Sequence, residues 1–263
     1  MIQRVNGPVV ELCESTAATI IADRHPQYIP RWSIRNGLVI VGGFHSRAEW
    51  EDSIRTSVGS ADYNEMGHDE FRFRRTDLLL QGVRLFDNEN DISMSDSSPW
   101  WQAVKPVSGL LRLTSSSPFV CQTSRQRWVA SDGLAFACFY HLSTMDAKDG
   151  FRLRIAQDFD LLFAKGKLCG WMLSHPARYL VNSWADPYPD MPDAETVAVL
   201  HEYMTLVGDA SFMSKVDSED ARVLEKLIGL HGRLASGVST ERRRLLQDYI
   251  ADIVEKLYDR RLS

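Results

Sequence analysis

Apolar positions along the chain change their period twice, and each change marks a different kind of element. Leu38 to Val41 is an unbroken apolar run, as expected of a strand buried on both faces. Gly42-Gly43 follows, and then Ser46 and Glu49 form an S-x-x-E capping box opening a helix with Trp50, Ile54 and Val58 on one stripe. This predicts an N-terminal unit of strand, glycine turn and helix.

From about Phe71 to Leu180 the period becomes two. Phe71 and Phe73 alternate with Arg72 and Arg74, and Phe151, Leu153 and Ile155 with Arg152 and Arg154, which predicts strands with one apolar and one wet face. Ser131-Asp132-Gly133 and Lys165-Gly166-Lys167 each separate two apolar runs and predict antiparallel hairpins. The polar stretch 87–99 reads as a mobile surface loop ending on Trp100-Trp101. Beyond Trp184, three prolines in ADPYPDMPDAE predict a hinge, and three amphipathic helices follow, with Asp193, Ser218 and Ser239 as their caps.

The fold class is therefore α+β: an N-terminal strand-helix unit, a strand-rich and mostly antiparallel middle, and a C-terminal three-helix segment. Residues 1–184 are expected to form one domain with a mainly antiparallel sheet, 185–192 a Pro-rich hinge, and 193–263 a helical segment packed on the first part.

Composition narrows the class further. The chain has 263 residues, 44% of them hydrophobic, with seven Trp and eleven Phe to anchor a core. MIQRVNGPVV lacks the apolar core of a secretory signal, and no apolar run approaches a membrane span, so a soluble protein without membrane contact is expected. Cys13, Cys121, Cys138 and Cys169 form no C-x-x-C pair, which predicts reduced, packed thiols and a cytoplasmic location. Net charge is −5, yet residues 71–180 carry fourteen Lys+Arg against ten Asp+Glu, so the middle is the basic part.

Candidate chemistry is sparse. Gly42, Gly43 and Ser46, between a strand and a helix start, are a candidate anion site, with His45 beside them. Arg72, Arg74, Arg152 and Arg154 on strands, with Trp100 and Trp101, could form a surface recognising an anionic ligand or a macromolecular partner. Asp158 and Asp160, two apart on an expected strand, share a face, and with His45, His141 and His175 are the candidates for acid/base work. Arg242, Arg243 and Arg244 open the last helix against its dipole, which calls for pairing with Glu219, Asp220 or Glu225, or an acidic partner. No metal site and no cofactor is expected. The reading is a binding or regulatory protein with a protein partner or self-association, nucleic acid being disfavoured by the acidic whole. The alternative is a small hydrolase or transferase acting on a phosphorylated or nucleotide-like substrate.

Overall fold

The structure, a computed structural model, describes residues 7–13, 16–22, 27–60, 68–88, 90–92, 99–141, 148–238 and 240–262. In chain order the strands are β1 (Val9–Cys13), β2 (Thr16–Ala22), β3 (Arg31–Ser33), β4 (Leu38–Gly42), β5 (Ser57–Gly59), β6 (Glu70–Arg74), β7 (Leu80–Phe86), β8 (Val107–Leu113), β9 (Gln126–Val129), β10 (Ala135–Phe139), β11 (Phe151–Ala156), β12 (Phe159–Ala164) and β13 (Lys167–Ser174). The helices are α1 (Arg47–Thr56), α2 (Trp100–Ala103), α3 (Ala194–Gly208), α4 (Phe212–Asp217), α5 (Ala221–Ala235) and α6 (Glu241–Tyr258). The α+β class holds, with strands filling the middle and helices the C-terminal end.

The larger sheet closes on itself. Its order runs β1-β2-β8-β11-β12-β13, and β13 returns to β1, making a six-stranded barrel from which β10 and β9 continue beyond β13. Pairing is antiparallel except at β8–β11 and β1–β13. One edge of β13 serves two neighbours, β1 at Lys167 and β10 from Gly170 to Ser174. The seam is accordingly thin: a single register pair, Glu11 with Lys167, helped by the Glu11 N–H donating to the Gly166 carbonyl at 2.8 Å and a Lys167–Glu11 ion pair at 2.9 Å. The second sheet, β3-β4-β7-β6-β5, is antiparallel throughout and packs into the same core.

The N-terminal unit begins as expected, but α1 stops at Thr56, and Val58, expected on its apolar stripe, lies in β5 opposite Phe73. Ser46 Oγ accepts the Glu49 N–H at 3.1 Å, while the Glu49 carboxylate accepts the His45 N–H at 2.8 Å, so α1 starts where its capping box predicts. Gly42 faces Gly82 across β4 and β7, and a Cβ on either would fall 2.6 Å from the Phe44 ring. The glycines make a slot for that aromatic. Both predicted hairpins form, β9–β10 and β12–β13; Lys165 and Gly166 take φ of 52° and 73°, the primed turn that matches strand twist.

Two of the four arginines expected on wet faces, Arg72 and Arg152, are buried, whereas Arg74 is exposed and Arg154 half-buried. Helix α1 lies along β6, and Arg72, 3% exposed, donates to Ser57 Oγ at 2.9 Å and to the Ile54 carbonyl at 3.0 Å. Arg152, 7% exposed, is bonded to Asp160 and to the Trp101 carbonyl at 2.8 Å. A guanidinium can be buried this way because its donors, fixed in a planar fork, all find acceptors. Trp101 is likewise no surface anchor: it is fully buried, 4.6 Å from the Phe139 ring and 5.7 Å from Trp128, on a floor that includes Ala130, Ala137 and Ala164. Small residues on the outer face of β10 and β12 leave the room that α2 fills.

Three further expectations are corrected. Cys13 and Cys121 form a disulfide, Cα to Cα 5.6 Å, leaving only Cys138 and Cys169 as free, buried thiols. The inference of a reducing compartment from four thiols loses that ground. The helical end has α4 inserted: Ser218 ends α4 instead of capping α5, whose cap is Asp220, accepting from the Arg222 N–H at 2.8 Å. Ser239 lies outside the described residues, and Thr240 caps α6; Asp193 caps α3 as expected. Finally, the arginines opening α6 find acceptors other than Glu219, Asp220 and Glu225: Arg242 on the Pro-rich segment, Arg243 at the α3 cap and on the Leu234 carbonyl of α5, and Arg244 on Glu241 of its own helix. Arg242, 1% exposed, donates to the carbonyls of Asp190 at 2.9 Å and Tyr188 at 3.2 Å, and Arg243 bonds Asp193 at 2.7 Å. Residues 185–192 are thereby strapped to α6. Among the described residues no helix is long and apolar enough to cross a membrane.

Candidate functional site

The sequence-predicted site residues fall into separate constellations. Gly42, Gly43 and Ser46 form the β4–α1 turn, where Ser46 Oγ already takes the first-turn Glu49 N–H and the Glu49 carboxylate takes the His45 N–H just before the helix. His45 is exposed and sets Nδ1 3.2 Å from Asp186. Asp158 is in the β11–β12 turn at φ 56°, not on a strand, and accepts the Tyr179 hydroxyl at 2.8 Å. Asp160, fully buried in β12, is held by Arg152 and by Arg154 at 2.8 Å. The two carboxylates thus have different settings, because a left-handed turn residue breaks the strand alternation that would have aligned them. His175 stands at φ 52° where β13 ends, its N–H donating to the Leu134 carbonyl at 2.7 Å, and His141 is exposed just after β10. Arg74 is exposed and paired with Asp77 at 3.1 Å, and Trp100, on α2, is half-buried edge-on to Trp101.

Between the two sheets lies a buried polar spine that the sequence reading missed. Asp69 accepts the Tyr140 hydroxyl at 2.5 Å and the Phe86 N–H at 2.8 Å, and burial pushes its carboxyl up to about 7 despite those bonds. Arg127, 1% exposed, bonds Asp91 at 2.6 Å, Asp87 at 3.3 Å and the Met204 carbonyl at 3.0 Å. Burial raises the Asp87 carboxyl, with Arg127 opposing the rise. The spine ties the start of the 87–99 segment and the C-terminal half of α3 to β9, so this part of the expected mobile loop is anchored; residues 89 and 93–98 lie outside the described residues.

A cleft of about 690 Å³ lies among α3, α4 and α5. Leu206 from α3 and Val223 and Leu230 from α5 give it an apolar floor. On α5 its wall carries Arg222, Lys226, Gly229 and Arg233, which at spacings of four, three and four share one helix face and run about 16 Å along the axis. Arg233 is occupied, bonded to Glu195 at 2.6 Å and Glu202 at 2.7 Å, and Lys215 of α4 is paired with Asp209 at 2.9 Å. Hydrogen bonds from Ser211 and Lys215 hold the Asp209 carboxyl below its ordinary range. Arg222 and Lys226 are exposed and make no side-chain hydrogen bond or ion pair with the described residues. The signal for this site was in the sequence as cations at i and i+4 followed by a helical glycine, but it is hidden until α3 and α4 supply the opposite wall.

Among the described residues no group of three or more His, Cys, Asp or Glu is placed to hold a metal ion. No protein-family model matches the chain, and neither curated proteins nor solved structures give a significant match.

Proposed function

We propose that the protein is a binding protein whose helical end recognises an acidic, amphipathic helical segment of a protein partner. The observation that carries this reading is the pair Arg222 and Lys226, one turn apart and without acceptors among the described residues, above an apolar floor. An amphipathic helix laid in such a groove buries its apolar stripe on Leu206, Val223 and Leu230 while carboxylates at i and i+4 meet the two cations. The recognition surface moves from the arginine-bearing sheet to this cleft because Arg72, Arg152 and Trp101 are spent inside the fold. Glu202, Asp209 and Asp220 on the rim disfavour a polyanion such as nucleic acid and favour a ligand of alternating character.

The test maps backbone amide shifts while a synthetic helical peptide with a leucine stripe and glutamates at i and i+4 is titrated in. Shifts centred on Thr205 and Gly229 support the proposal. Shifts centred on β6 or β11 would return the site to the arginine-bearing strands, and saturating peptide with no shifts would refute a cleft binder.

A further inference from the structure

The two sulfurs of the Cys13–Cys121 bridge sit in unequal surroundings. Cys13 is half-buried at the end of β1, just past a shift in the β1–β2 register. Cys121 is 2% exposed and is joined by an isolated antiparallel bridge to Asp69. Opposed residues of an antiparallel pair put their side chains on one face, with Cβ atoms about 4.5–5.5 Å apart. Asp69 and Cys121 therefore send their side chains to the same face of the pair. The Asp69 carboxyl is fully buried, burial lifts its pKa to about 7, and its two oxygens accept the Phe86 N–H and the Tyr140 hydroxyl.

We infer that Cys13–Cys121 is a reversible thiol–disulfide exchange site, opened by a dithiol reductant that attacks Cys13 while Cys121 leaves toward the Asp69 carboxyl. The reductant's thiolate bonds to Cys13 Sγ, the Cys13–Cys121 bond breaks, and Cys121 Sγ departs with the electron pair and takes the Asp69 proton. The second thiolate of the reductant then attacks its own sulfur in the mixed disulfide and releases the Cys13 thiolate. Solvent reprotonates Cys13 and Asp69 with the two protons the reductant lost, so two thiols are formed and one dithiol is oxidised. The structural consequence falls on β1, which holds the barrel seam through one register pair and is bolted to the 119–121 segment by this bond.

The experiment incubates the full chain with glutathione, traps free thiols with iodoacetamide, and maps both by mass spectrometry. Glutathione on Cys13 with alkylated Cys121, and Cys138 and Cys169 unlabelled without denaturant, is expected. Glutathione on Cys121, or Cys13 and Cys121 already free in protein purified without reductant, would overturn the assignment. Asp69→Asn separates a proton donor from a merely structural neighbour. Reduction by dithiothreitol should slow at least about tenfold at neutral pH and lose the rate inflection near pH 7, since a positioned acid contributes about a hundredfold or more. The other titratable groups facing Asp69 are Tyr140, Glu70, His68 and Cys138. An unchanged rate and pH profile in Asp69→Asn would remove Asp69 from the exchange.

Discussion

Asp69→Asn keeps the shape of a buried side chain and removes its ability to ionise. Its amide oxygen can still accept the Phe86 N–H, and its NH₂ can donate to the Tyr140 oxygen, so the change isolates the charge. In the unfolded chain the carboxyl titrates near 3.8, and in the fold burial moves it to about 7. Between those values the unfolded state releases the proton and the fold retains it, so stability falls as pH rises. The contribution is intact below about pH 4, declines through the interval, and is lost above about pH 7, for a total of roughly 4 kcal/mol. From about pH 5 to pH 8 the loss is roughly 2.5 kcal/mol. Urea unfolding of both proteins across that range gives the difference directly, since the other titrating groups are shared. The wild type should lose stability relative to Asp69→Asn by roughly that amount. Parallel stability curves would show that Asp69 is not a buried, proton-retaining carboxyl.

Other substitutions probe the remaining contacts. Arg127→Met leaves Asp87 and Asp91 without their cation in a buried site and should cost about 3–5 kcal/mol in denaturant unfolding. Trp101→Ala empties the space between α2 and the outer face of β10 and should cost about 3–5 kcal/mol, whereas an exposed partner-binding tryptophan would leave stability unchanged. Gly82→Ala drives a methyl into the Phe44 ring and should lower stability by about 1–3 kcal/mol in the same assay.

The elements were legible where chemistry is local. The Leu38 to Val41 run, the Ser46–Glu49 box, the Ser131-Asp132-Gly133 and Lys165-Gly166 turns and the Asp193 cap each depend on a few adjacent residues, and each is where the pattern puts it. What was hidden depends on partners distant in sequence. Alternation in Phe71-Arg72-Phe73 names two faces but not what covers the second, and here α1 covers it. Barrel closure rests on Glu11 meeting Lys167 across 156 residues, and the disulfide joins positions 108 apart, neither of which any period reports. The candidate cleft was half legible: one wall is a run of cations on α5, while the other needs α3 and α4 folded against it.

The most direct test of the recognition proposal is a two-way charge exchange measured by isothermal titration calorimetry. Wild type and the Arg222→Glu, Lys226→Glu double variant are each titrated with an amphipathic helical peptide bearing glutamates, and with its lysine counterpart. The wild type should bind the glutamate peptide at least about tenfold more tightly than the lysine peptide, and the variant should reverse that order, a swing that rising salt compresses. Equal affinities for both peptides, or a preference that survives the double substitution, would contradict recognition through this cleft.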